Sequence, residues 1–517
     1  MDFSSNVVAI IGAIALFLLY NLWRTKLNTK TKTSAPLPPQ VSGALPLIGN
    51  LHQLGEKRPL ARILSSIADK YGSIFMLRFG AHRTVVISNH KIMKEFYTTN
   101  DKFCSSRPQS TVARILSYNF AAFGFSPYGA TWRDLRKLAM TDLLSGHRIR
   151  LMKHVQLNEV RYFMKELFLQ CKENGNSVNV DMSELFESMV MNIITRMIAG
   201  KRYCDRHNNG DVEKGRHIGE IMKDFMLVAG AFVPSDMIPL LKWTECLGTV
   251  KNCKNIVKEL DAIMESWIHE HEIKVNSYDN KDFIDVLLSK AQDDAQFGNS
   301  RRTVIKATAM SLILGGSDTT SITMTWLVAV LLNNKRVLQL AQEEIDEKVG
   351  RERNVEESDI EKLVYLNAII KETLRLYPAG PLAVPREAME DCTLYGYQIP
   401  KGTRILTNLW KLHRDPNIWD NPEEFRPERF LTSHVKLDYM GQNFEYVPFG
   451  SGRRSCPGLN FAMQVMHITI ARFLQGFNLS TPNGEAVDMT ESLSISLSKE
   501  TPLHVIITPR LAPQLYE

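Results

Sequence analysis

The chain has 517 residues, of which 44% are hydrophobic and 23% charged, so it is neither a disordered nor a collagen-like polymer. Its 62 basic and 56 acidic residues give a net charge of +6, which is too mild at this length to indicate a nucleic-acid partner. A single hydrophobic core usually stops growing at about 250–300 residues. We therefore expect two domains, or one large domain built around something that fills its centre.

The first predicted element is an uncharged segment at the N-terminus. Residues 7–23 carry no charge, and four basic residues follow between 24 and 32. As a helix this segment spans about one bilayer core. A cleavable signal peptide is the alternative, but its basic residues precede the apolar stretch, whereas here Asp2 precedes it. We therefore predict a transmembrane anchor over 1–23 whose C-terminal side is cytosolic.

A basic and proline-rich hinge is predicted over 24–50, where Ala35-Pro36-Leu37-Pro38-Pro39 is followed by further prolines and glycines. Proline fixes φ and has no N–H donor, so this spacer is stiff and non-helical. The sequence shows no second linker of this kind and no internal repeat. We therefore expect one large domain over 51–517.

Helical periodicity dominates that domain, which is predicted to be mainly α with a minor β part. Helices are predicted at His154–Cys171, 212–228, Asn255–Ile273 and Val337–Val349. Strands are predicted at Ile74–Phe79, Thr84–Ser88, and as a C-terminal pair at Ser494–Ser498 and His504–Thr508.

The most informative predicted helix runs from about Arg302 to Asn333. It is apolar on nearly every face, which is typical of a helix buried through a large core. A second membrane span is the alternative, but Gly315-Gly316-Ser317-Asp318-Thr319-Thr320 lies in its middle, and a carboxylate is costly in lipid. We therefore expect a buried helix that its paired glycines loosen.

The seven cysteines form no CxxC pair, which excludes zinc ribbons and thioredoxin-like motifs, and their odd number suits a reducing compartment. Cys456 lies in Phe449-Gly450-Ser451-Gly452-Arg453-Arg454-Ser455-Cys456-Pro457-Gly458, before a predicted helix at Asn460–Leu474. The helix N-terminus, Arg453 and Arg454 favour a thiolate there, which is a soft ligand for iron. An inert buried cysteine is one alternative. A dinucleotide loop is another, but the third glycine is missing.

The pattern Phe449-x-x-Gly452-x-Arg454-x-Cys456-x-Gly458 resembles the haem-binding signature of the cytochrome P-450 haem-thiolate monooxygenases. The resemblance covers essentially the whole chain and implies the triangular helical fold of that family behind an N-terminal transmembrane helix. It implies a haem b whose iron binds Cys456, with Phe449 shielding the thiolate. It also implies that Asp318 and Thr319 are catalytic and deliver protons during O2 activation.

The same resemblance gives roles to several charged residues. Contacts to the haem propionates are implied for Trp132, Arg136, Arg386 and Arg454. A structural triad that does no chemistry is implied for Glu372, Arg375 and Arg429.

The chain further resembles plant microsomal members of the family, on the stretches 355–360, 379–382 and 509–513. This resemblance points to 6- or 8-hydroxylation of the A ring of a flavone. An alkaloid, coumarin or terpenoid hydroxylase or demethylase is the alternative. A haem-thiolate isomerase that needs no O2 and a haem-binding protein are more remote alternatives.

The segments that the family places around its substrate are apolar and aromatic in this chain. They are 112–125, 226–232, Leu312–Ser317, Ala383-Val384 and Leu497. Apart from Arg114 and Asp318 no charge stands out in them, which favours a neutral, flat, hydrophobic substrate.

Electrons must come from a partner, because the sequence contains no flavin or NADP domain. The resemblance implies an NADPH-cytochrome reductase, with a b-type cytochrome as a further donor, at the endoplasmic reticulum membrane with the catalytic domain in the cytosol. Arg133, Lys137 and Arg453 form the predicted basic docking face. We expect the bilayer as a further partner and no nucleic acid.

Overall fold

The computed structural model describes residues 35–517 with internal gaps, and residues 12, 15, 16 and 20 before them. The gaps are 56, 204–219, 222–223, 226, 230–232, 239–240, 242–247, 274–280 and 291–298. The predicted anchor over 1–23 and the predicted helix over 212–228 lie largely outside the described residues. Within the described part of the chain, we find no helix that is both long and apolar enough to cross a bilayer.

Helices make up most of the regular secondary structure of the described chain. They are α1 (Leu60–Tyr71), α2 (His90–Tyr97), α3 (Thr111–Leu116), α4 (Ala130–Leu138), α5 (Gly146–Leu151), α6 (Lys153–Glu173), α7 (Met182–Ala199), α8 (Pro234–Met237), α9 (Gly248–Ile273), α10 (Phe283–Lys290), α11 (Arg301–Asn333), α12 (Lys335–Lys348), α13 (Glu357–Ile360), α14 (Val364–Leu376), α15 (Leu409–Leu412) and α16 (Leu459–Gly476). The predicted helices that correspond to α6, α9, α11, α12 and α16 are confirmed, although α9 begins earlier than expected, at Gly248.

The strands in the described residues are short. They are β1 (Ile74–Phe79), β2 (His82–Ile87), β3 (Val178–Asp181), β4 (Arg386–Glu387), β5 (Cys392–Leu394), β6 (Tyr397–Ile399), β7 (Arg404–Thr407), β8 (Phe477–Ser480) and β9 (His504–Pro509). One sheet has the order β1-β2-β7-β4, with β2 and β7 parallel and the other neighbours antiparallel. In the second sheet β9 lies between β3 and β8, and β5 and β6 form a hairpin. The prediction of a mainly α domain with a minor β part is confirmed.

The predicted strand at Ser494–Ser498 is wrong. This segment bends back on itself, so that the Ser492 and Ser498 hydroxyls lie 2.7 Å apart and the Ser494 hydroxyl donates to the carbonyl of Ser496. Serine hydroxyls compete with the backbone for hydrogen bonds and so favour turns over strands. β9, the other member of the predicted pair, finds its partners in β3 and β8.

The centre of the molecule is α11, which is roughly 50 Å long at 1.5 Å per residue. The hydroxyl of Ser300 accepts the N–H of Thr303 and caps its first turn. The helix packs against α7, α14 and α16 and has buried side chains on all sides over its second half. It is therefore a core helix of a large domain, and the alternative of a second membrane span is excluded for this segment.

Candidate active site

The glycine-rich loop over 449–458 makes two tight turns before α16 begins. Gly450 and Gly452 have φ angles of 68° and 69°, in the left-handed region that glycine enters without steric cost. A Cβ atom at Gly452 would clash with the Asp101 carboxylate. Glycine at this position therefore allows the loop to approach Asp101 closely.

Cys456 lies at the end of this loop, just before α16, as predicted. Its N–H donates to the carbonyl of Phe449 at 2.9 Å, and the Phe449 ring packs edge-on against Tyr439 at 6.3 Å. Burial raises the pKa of the Cys456 thiol, while the N–H of Gly458 and the charge of Arg136 act in the opposite direction. A metal cation bound at the sulfur would offset the effect of burial and favour the thiolate, because a coordinated thiol loses its proton.

The expectation that Arg453 and Arg454 provide the charge beside Cys456 is not met. Arg453 turns to Asp101, which accepts its backbone N–H at 3.0 Å and its guanidinium at 2.9 Å. Arg454 donates to three backbone carbonyls, those of Ser105, Phe123 and Ser126, at 2.9, 3.2 and 2.6 Å. The cation beside the thiol is Arg136, whose Nη2 donates to the carbonyl of the preceding residue, Ser455, at 2.7 Å.

Four arginines, which we call the arginine cluster, converge beside this loop: Arg107, Arg136, Arg386 and Arg454. Burial lowers the pKa of Arg107 to about 9, and the nearby charges of Arg386 and Arg136 contribute to this fall. Burial lowers the pKa of Arg454 to about 8, and the charges of the other three arginines lower it further. The members of the cluster therefore repel one another within a poorly hydrated environment.

Among the described residues, Arg386 is the member of the cluster that has a carboxylate partner, Asp101, at 2.6 Å. Arg107 donates to the carbonyls of Val384 and Pro385 at 2.7 and 2.8 Å, and the other two members also reach only backbone carbonyls. Buried cations are costly without nearby negative charge. The two propionates of a haem are carboxylates that fit this deficit.

Trp132 is buried on α4 and contacts the arginine cluster directly. The Cζ atom of Arg454 lies 4.2 Å from the centre of its indole ring. The indole Nε1 donates to the carbonyl of Phe123 at 3.1 Å. Trp132 thus positions Arg454, and the expected contact between its N–H and a propionate stays a prediction.

The paired glycines of α11 do not interrupt the helix, which is continuous from Arg301 to Asn333, so the expected loosening is not observed. A Cβ at Gly316 would lie 2.8 Å from Ile194 Cδ1, whereas nothing lies within 4 Å of the same position at Gly315. Gly316 therefore allows α7 to pack closely, and Gly315 leaves an open surface. The hydroxyl of Thr319 donates to the carbonyl of Gly315 at 2.8 Å and so lies beside this opening.

Asp318 is adjacent to Thr319 on the same helix and is half-buried. Burial raises the pKa of its carboxyl, and a hydrogen bond with Ser496 acts in the opposite direction. The carboxyl therefore keeps its proton to a higher pH than an ordinary aspartate. The contribution of Ser496, from the bent segment at 492–498, was not foreseen in the sequence.

The predicted triad of Glu372, Arg375 and Arg429 is confirmed as a structural unit, which we call the buried triad. All three side chains are fully buried. Glu372 accepts Nε of Arg375 at 2.7 Å and Nε of Arg429 at 2.9 Å. Arg375 and Arg429 direct further N–H groups to the backbone carbonyls of His413, Pro422, Asp420 and Glu424.

The structure changes the predicted set of pocket residues. Val384 and Ile495 are large apolar side chains that stay 56% and 66% exposed. Phe123 and Leu497 are instead buried, Phe123 within the main core. The predicted lining segment at 226–232 lies largely outside the described residues.

The predicted docking face is only partly a free surface. Arg133 and Lys137 are exposed on α4. Arg453 has a half-exposed side chain but is committed to Asp101, as described above.

Sequence reasoning missed Arg107, a charged residue that contacts the predicted pocket segments. It occurs in Ser105-Ser106-Arg107-Pro108, where a single arginine before proline has the appearance of a surface charge. Its guanidinium connects the carbonyls of Gly124 and Val384, which are far apart in sequence. The only local signal is that no other charge occurs between Lys102 and Arg114.

Comparison with known proteins agrees with this geometry. The cytochrome P450 family model matches residues 38–507. Cytochrome P450 CYP82J17 of Trigonella foenum-graecum is 47% identical and strychnine-10-hydroxylase of Strychnos nux-vomica 46% identical, each over 100% of both chains. The flavonoid-6-hydroxylase of Ocimum basilicum is 44% identical over 100% of this chain and 99% of its own.

A solved structure of a zebra fish cytochrome P450 with abiraterone superposes with a TM-score of 0.72 at 26% identity, over 87% of this chain and 100% of that one. Fold, family model and full-length relatives therefore agree, and the cofactor of such enzymes is haem. The chain belongs to the cytochrome P450 family and is a monooxygenase of the type found in these plant relatives.

Proposed function

We propose that this enzyme hydroxylates the A ring of a flavone at position 6 or 8, with electrons that an NADPH-cytochrome reductase delivers. The observation that carries the proposal is the full-length similarity to a flavonoid-6-hydroxylase, together with exposed apolar side chains in the segments around α11. Neutral aromatic rings bind such surfaces by burial and stacking. The family resemblance of the sequence supports the same substrate class.

Cys456 is the proposed iron ligand, and the arginine cluster is the proposed site of the two propionates. Bound haem supplies the iron at which O2 is reduced and one oxygen atom is transferred to the substrate. The N–H of Gly458 bonds to the sulfur, and Phe449, whose carbonyl accepts the N–H of Cys456, is the residue proposed to shield it from water. Arg107, Arg136 and Arg454 would exchange their contacts to backbone carbonyls for charge-assisted contacts to carboxylates.

Thr319 and Asp318 are the proposed proton donors. The raised pKa of Asp318 lets its carboxyl hold a proton at a pH where an ordinary aspartate has lost it. The Thr319 hydroxyl can release the carbonyl of Gly315 and turn its proton toward the open surface there. Ser496 orients the carboxyl of Asp318 from the opposite segment.

An alkaloid is the second candidate substrate, because the strychnine-10-hydroxylase is 46% identical over the full chain. An alkaloid carries a positive charge at neutral pH and would gain from a carboxylate or an aromatic face. Asp318 is the carboxylate in the lining segments, and proton delivery already requires it. The sequence of those segments contains no further carboxylate for a cationic substrate, which favours the flavone.

The test is a reconstituted assay of the full chain with a plant reductase, NADPH, and either flavones or strychnine. We expect a flavone product with one added oxygen on the A ring, and a shift of the haem spectrum when the flavone binds. Turnover of strychnine with no flavone binding would overturn the substrate and leave the monooxygenase unaffected. Thr319→Ala should keep flavone binding but divert reducing equivalents to peroxide, whereas Thr323→Ala, one helical turn further on, should stay coupled.

The assignment of Cys456 has its own control. Cys456→Ser should remove the absorption of the reduced CO complex that is typical of thiolate-ligated haem. Cys253→Ser, which alters another buried cysteine, should leave that spectrum unchanged. Equal spectra in both variants would exclude Cys456 as the ligand.

Residues 1–23 are proposed to anchor the enzyme in the endoplasmic reticulum with the catalytic domain in the cytosol. The uncharged segment followed by basic residues supports this orientation. Protease treatment of intact microsomes should digest the catalytic domain and leave a short membrane-bound fragment. Protection of the whole chain would place the domain in the lumen and contradict the proposal.

A further inference from the structure

Two cysteines that the proposed chemistry does not use lie against each other in the fold. The Sγ atoms of Cys104 and Cys392 are 3.7 Å apart, although 288 residues separate them along the chain. We propose that Cys104 and Cys392 are a redox-active thiol pair that closes to a disulfide by exchange with glutathione disulfide. A disulfide requires about 2.05 Å between the sulfur atoms, so both side chains must rotate toward each other.

The backbone on either side of this pair is held in register by hydrogen bonds. The N–H of Met389 donates to the carbonyl of Phe103 at 2.9 Å. The side-chain amide of Asn100 donates to the carbonyl of Thr393 at 3.0 Å. The segment at 100–104 is therefore already packed against the β5–β6 hairpin. Forming the disulfide requires motion of the two cysteine side chains within this arrangement.

The two thiols differ in their access to solvent, which gives them different roles. Cys392 is partly exposed at the start of β5, whereas Cys104 is only 1% exposed. The hydrogen bond between them lowers the pKa of Cys392 and raises that of Cys104. Cys392 is therefore the thiol that attacks an external disulfide, and Cys104 is the one that resolves the intermediate.

The exchange proceeds in two balanced steps. The Cys392 thiolate attacks one sulfur of glutathione disulfide, forms a mixed disulfide, and displaces one glutathione, which takes up the proton that Cys392 lost. Cys104 then loses its proton, bonds to the sulfur of Cys392, and displaces the second glutathione. Two protein thiols are oxidised to one disulfide, and glutathione disulfide is reduced to two molecules of glutathione.

The experiment equilibrates the haem-loaded enzyme with mixtures of reduced and oxidised glutathione, alkylates the free thiols, and maps each cysteine by mass spectrometry. We expect a peptide that links Cys104 to Cys392 at oxidising ratios and its disappearance at reducing ratios. Cys171 and Cys253 are fully buried, and they serve as internal controls that should not react in the folded protein. A folded wild-type enzyme that never shows the linked peptide would overturn the proposal.

Single variants test the order of the two steps. Cys104→Ser should stop at a stable mixed disulfide between Cys392 and glutathione. Cys392→Ser should leave Cys104 unmodified, because Cys104 is itself only 1% exposed and its partner thiol is no longer present to start the exchange. Modification of Cys104 in folded Cys392→Ser, or an unmodified Cys392 in folded Cys104→Ser, would contradict the assigned roles; the haem spectrum reports folding in each case. If either variant does not fold, the presence or absence of the linked peptide in the wild-type enzyme decides whether the thiol pair forms a disulfide.

Discussion

Two groups of arginines in this enzyme, one fully buried and the other mostly part-buried, differ in how their charge is compensated. In the buried triad, one carboxylate accepts N–H groups of both arginines at 2.7 to 2.9 Å, and backbone carbonyls take the N–H groups that remain. In the arginine cluster, four guanidiniums lie close together, and within the described segments a single carboxylate, that of Asp101, pairs with one of them.

The difference separates a structural site from the proposed binding site of the propionates. A buried ion pair whose hydrogen bonds are complete has no free donor or acceptor for a ligand. Removing one partner leaves the other charge uncompensated. A group of part-buried like charges destabilises the protein through mutual repulsion, so binding of an anion there stabilises the protein most. Substitutions in the two groups should therefore have opposite consequences for the protein and its cofactor.

The largest expected effect is in the buried triad. Glu372→Gln leaves Arg375 and Arg429 buried without their carboxylate, which we expect to cost roughly 3–5 kcal/mol in the free energy of unfolding. Chemical denaturation followed by circular dichroism measures this loss. Glu347→Gln is the control, because Glu347 pairs with Lys348 and the two side chains are 73% and 43% exposed, so it should change stability by less than about 1 kcal/mol. Equal losses in the two variants would contradict the comparison.

The second effect is a pH dependence beside the triad, at His413, whose carbonyl accepts Nη1 of Arg375 at 2.7 Å. Burial, with the charges of Arg375 and Arg414, lowers the pKa of His413 to about 3. The unfolded chain binds a proton near pH 6.5 and the folded protein does not, so stability is complete above pH 6.5 and is lost as the pH falls toward 3. As the pH falls from 6.5 to 5, the free energy of unfolding decreases by about 2 kcal/mol from this group.

His413→Gln keeps a side chain that can accept the N–H of Val447, which the imidazole Nε2 accepts at 3.2 Å, but it does not titrate. Denaturation curves at pH 7.5 and pH 5 should show a smaller loss of stability in this variant than in the wild type. The same loss in both proteins would assign the acid sensitivity to other groups.

The contrast between the two groups also explains how much of the site could be predicted from the sequence. Glu372 and Arg375 are three residues apart on one helix, and the Cys456 loop carries its glycines within ten residues, so both patterns are local. The contacts of Arg107 with Val384 and of Asp318 with Ser496 join segments that are distant in sequence, and no local pattern predicts them. The contact between Cys104 and Cys392 could not be predicted either, because 288 residues separate them along the chain.

The helical fold was predictable for the same reason, because helix periodicity is a local property. The failed strand at Ser494–Ser498 had alternating apolar residues, but its serine hydroxyls bond within the segment and turn the chain. Likewise, the role of Gly316 depends on Ile194 in another helix, so the sequence could not distinguish a packing contact from a loosened helix.

The third prediction concerns the arginine cluster. Arg107→Met removes one of the mutually repelling charges, so the protein without haem should be at least as stable as the wild type. Haem should be retained less well, with transfer to apomyoglobin roughly tenfold faster, because one charge-assisted contact to a propionate is lost. Arg114→Met, at an exposed arginine nearby, should leave the transfer rate unchanged. Loss of stability in Arg107→Met without faster haem transfer would show that this arginine belongs with the structural group.

The smallest expected effect distinguishes two arginines that share one carboxylate. Asp101 binds the buried Arg386 and the half-exposed Arg453, whose side chain is 44% exposed. Arg453→Gln leaves the buried pair intact, so it should change the free energy of unfolding by less than about 1 kcal/mol. Arg386→Gln leaves a buried Asp101 with only its exposed partner and should be clearly more destabilising.

The same variant tests the proposed reductase surface, since Arg453 lies on the side of the Cys456 loop and Arg133 is exposed on α4. If reductase docks there, Arg453→Gln and Arg133→Gln should each raise the reductase concentration needed for half-maximal turnover at low salt, by a few-fold, and the difference should fade as salt screens the charges. If only Arg133→Gln requires more reductase, docking is restricted to α4, because the charge of Arg453 is already paired with Asp101. A loss of stability in Arg453→Gln as large as that in Arg386→Gln would mean that burial does not separate the two arginines.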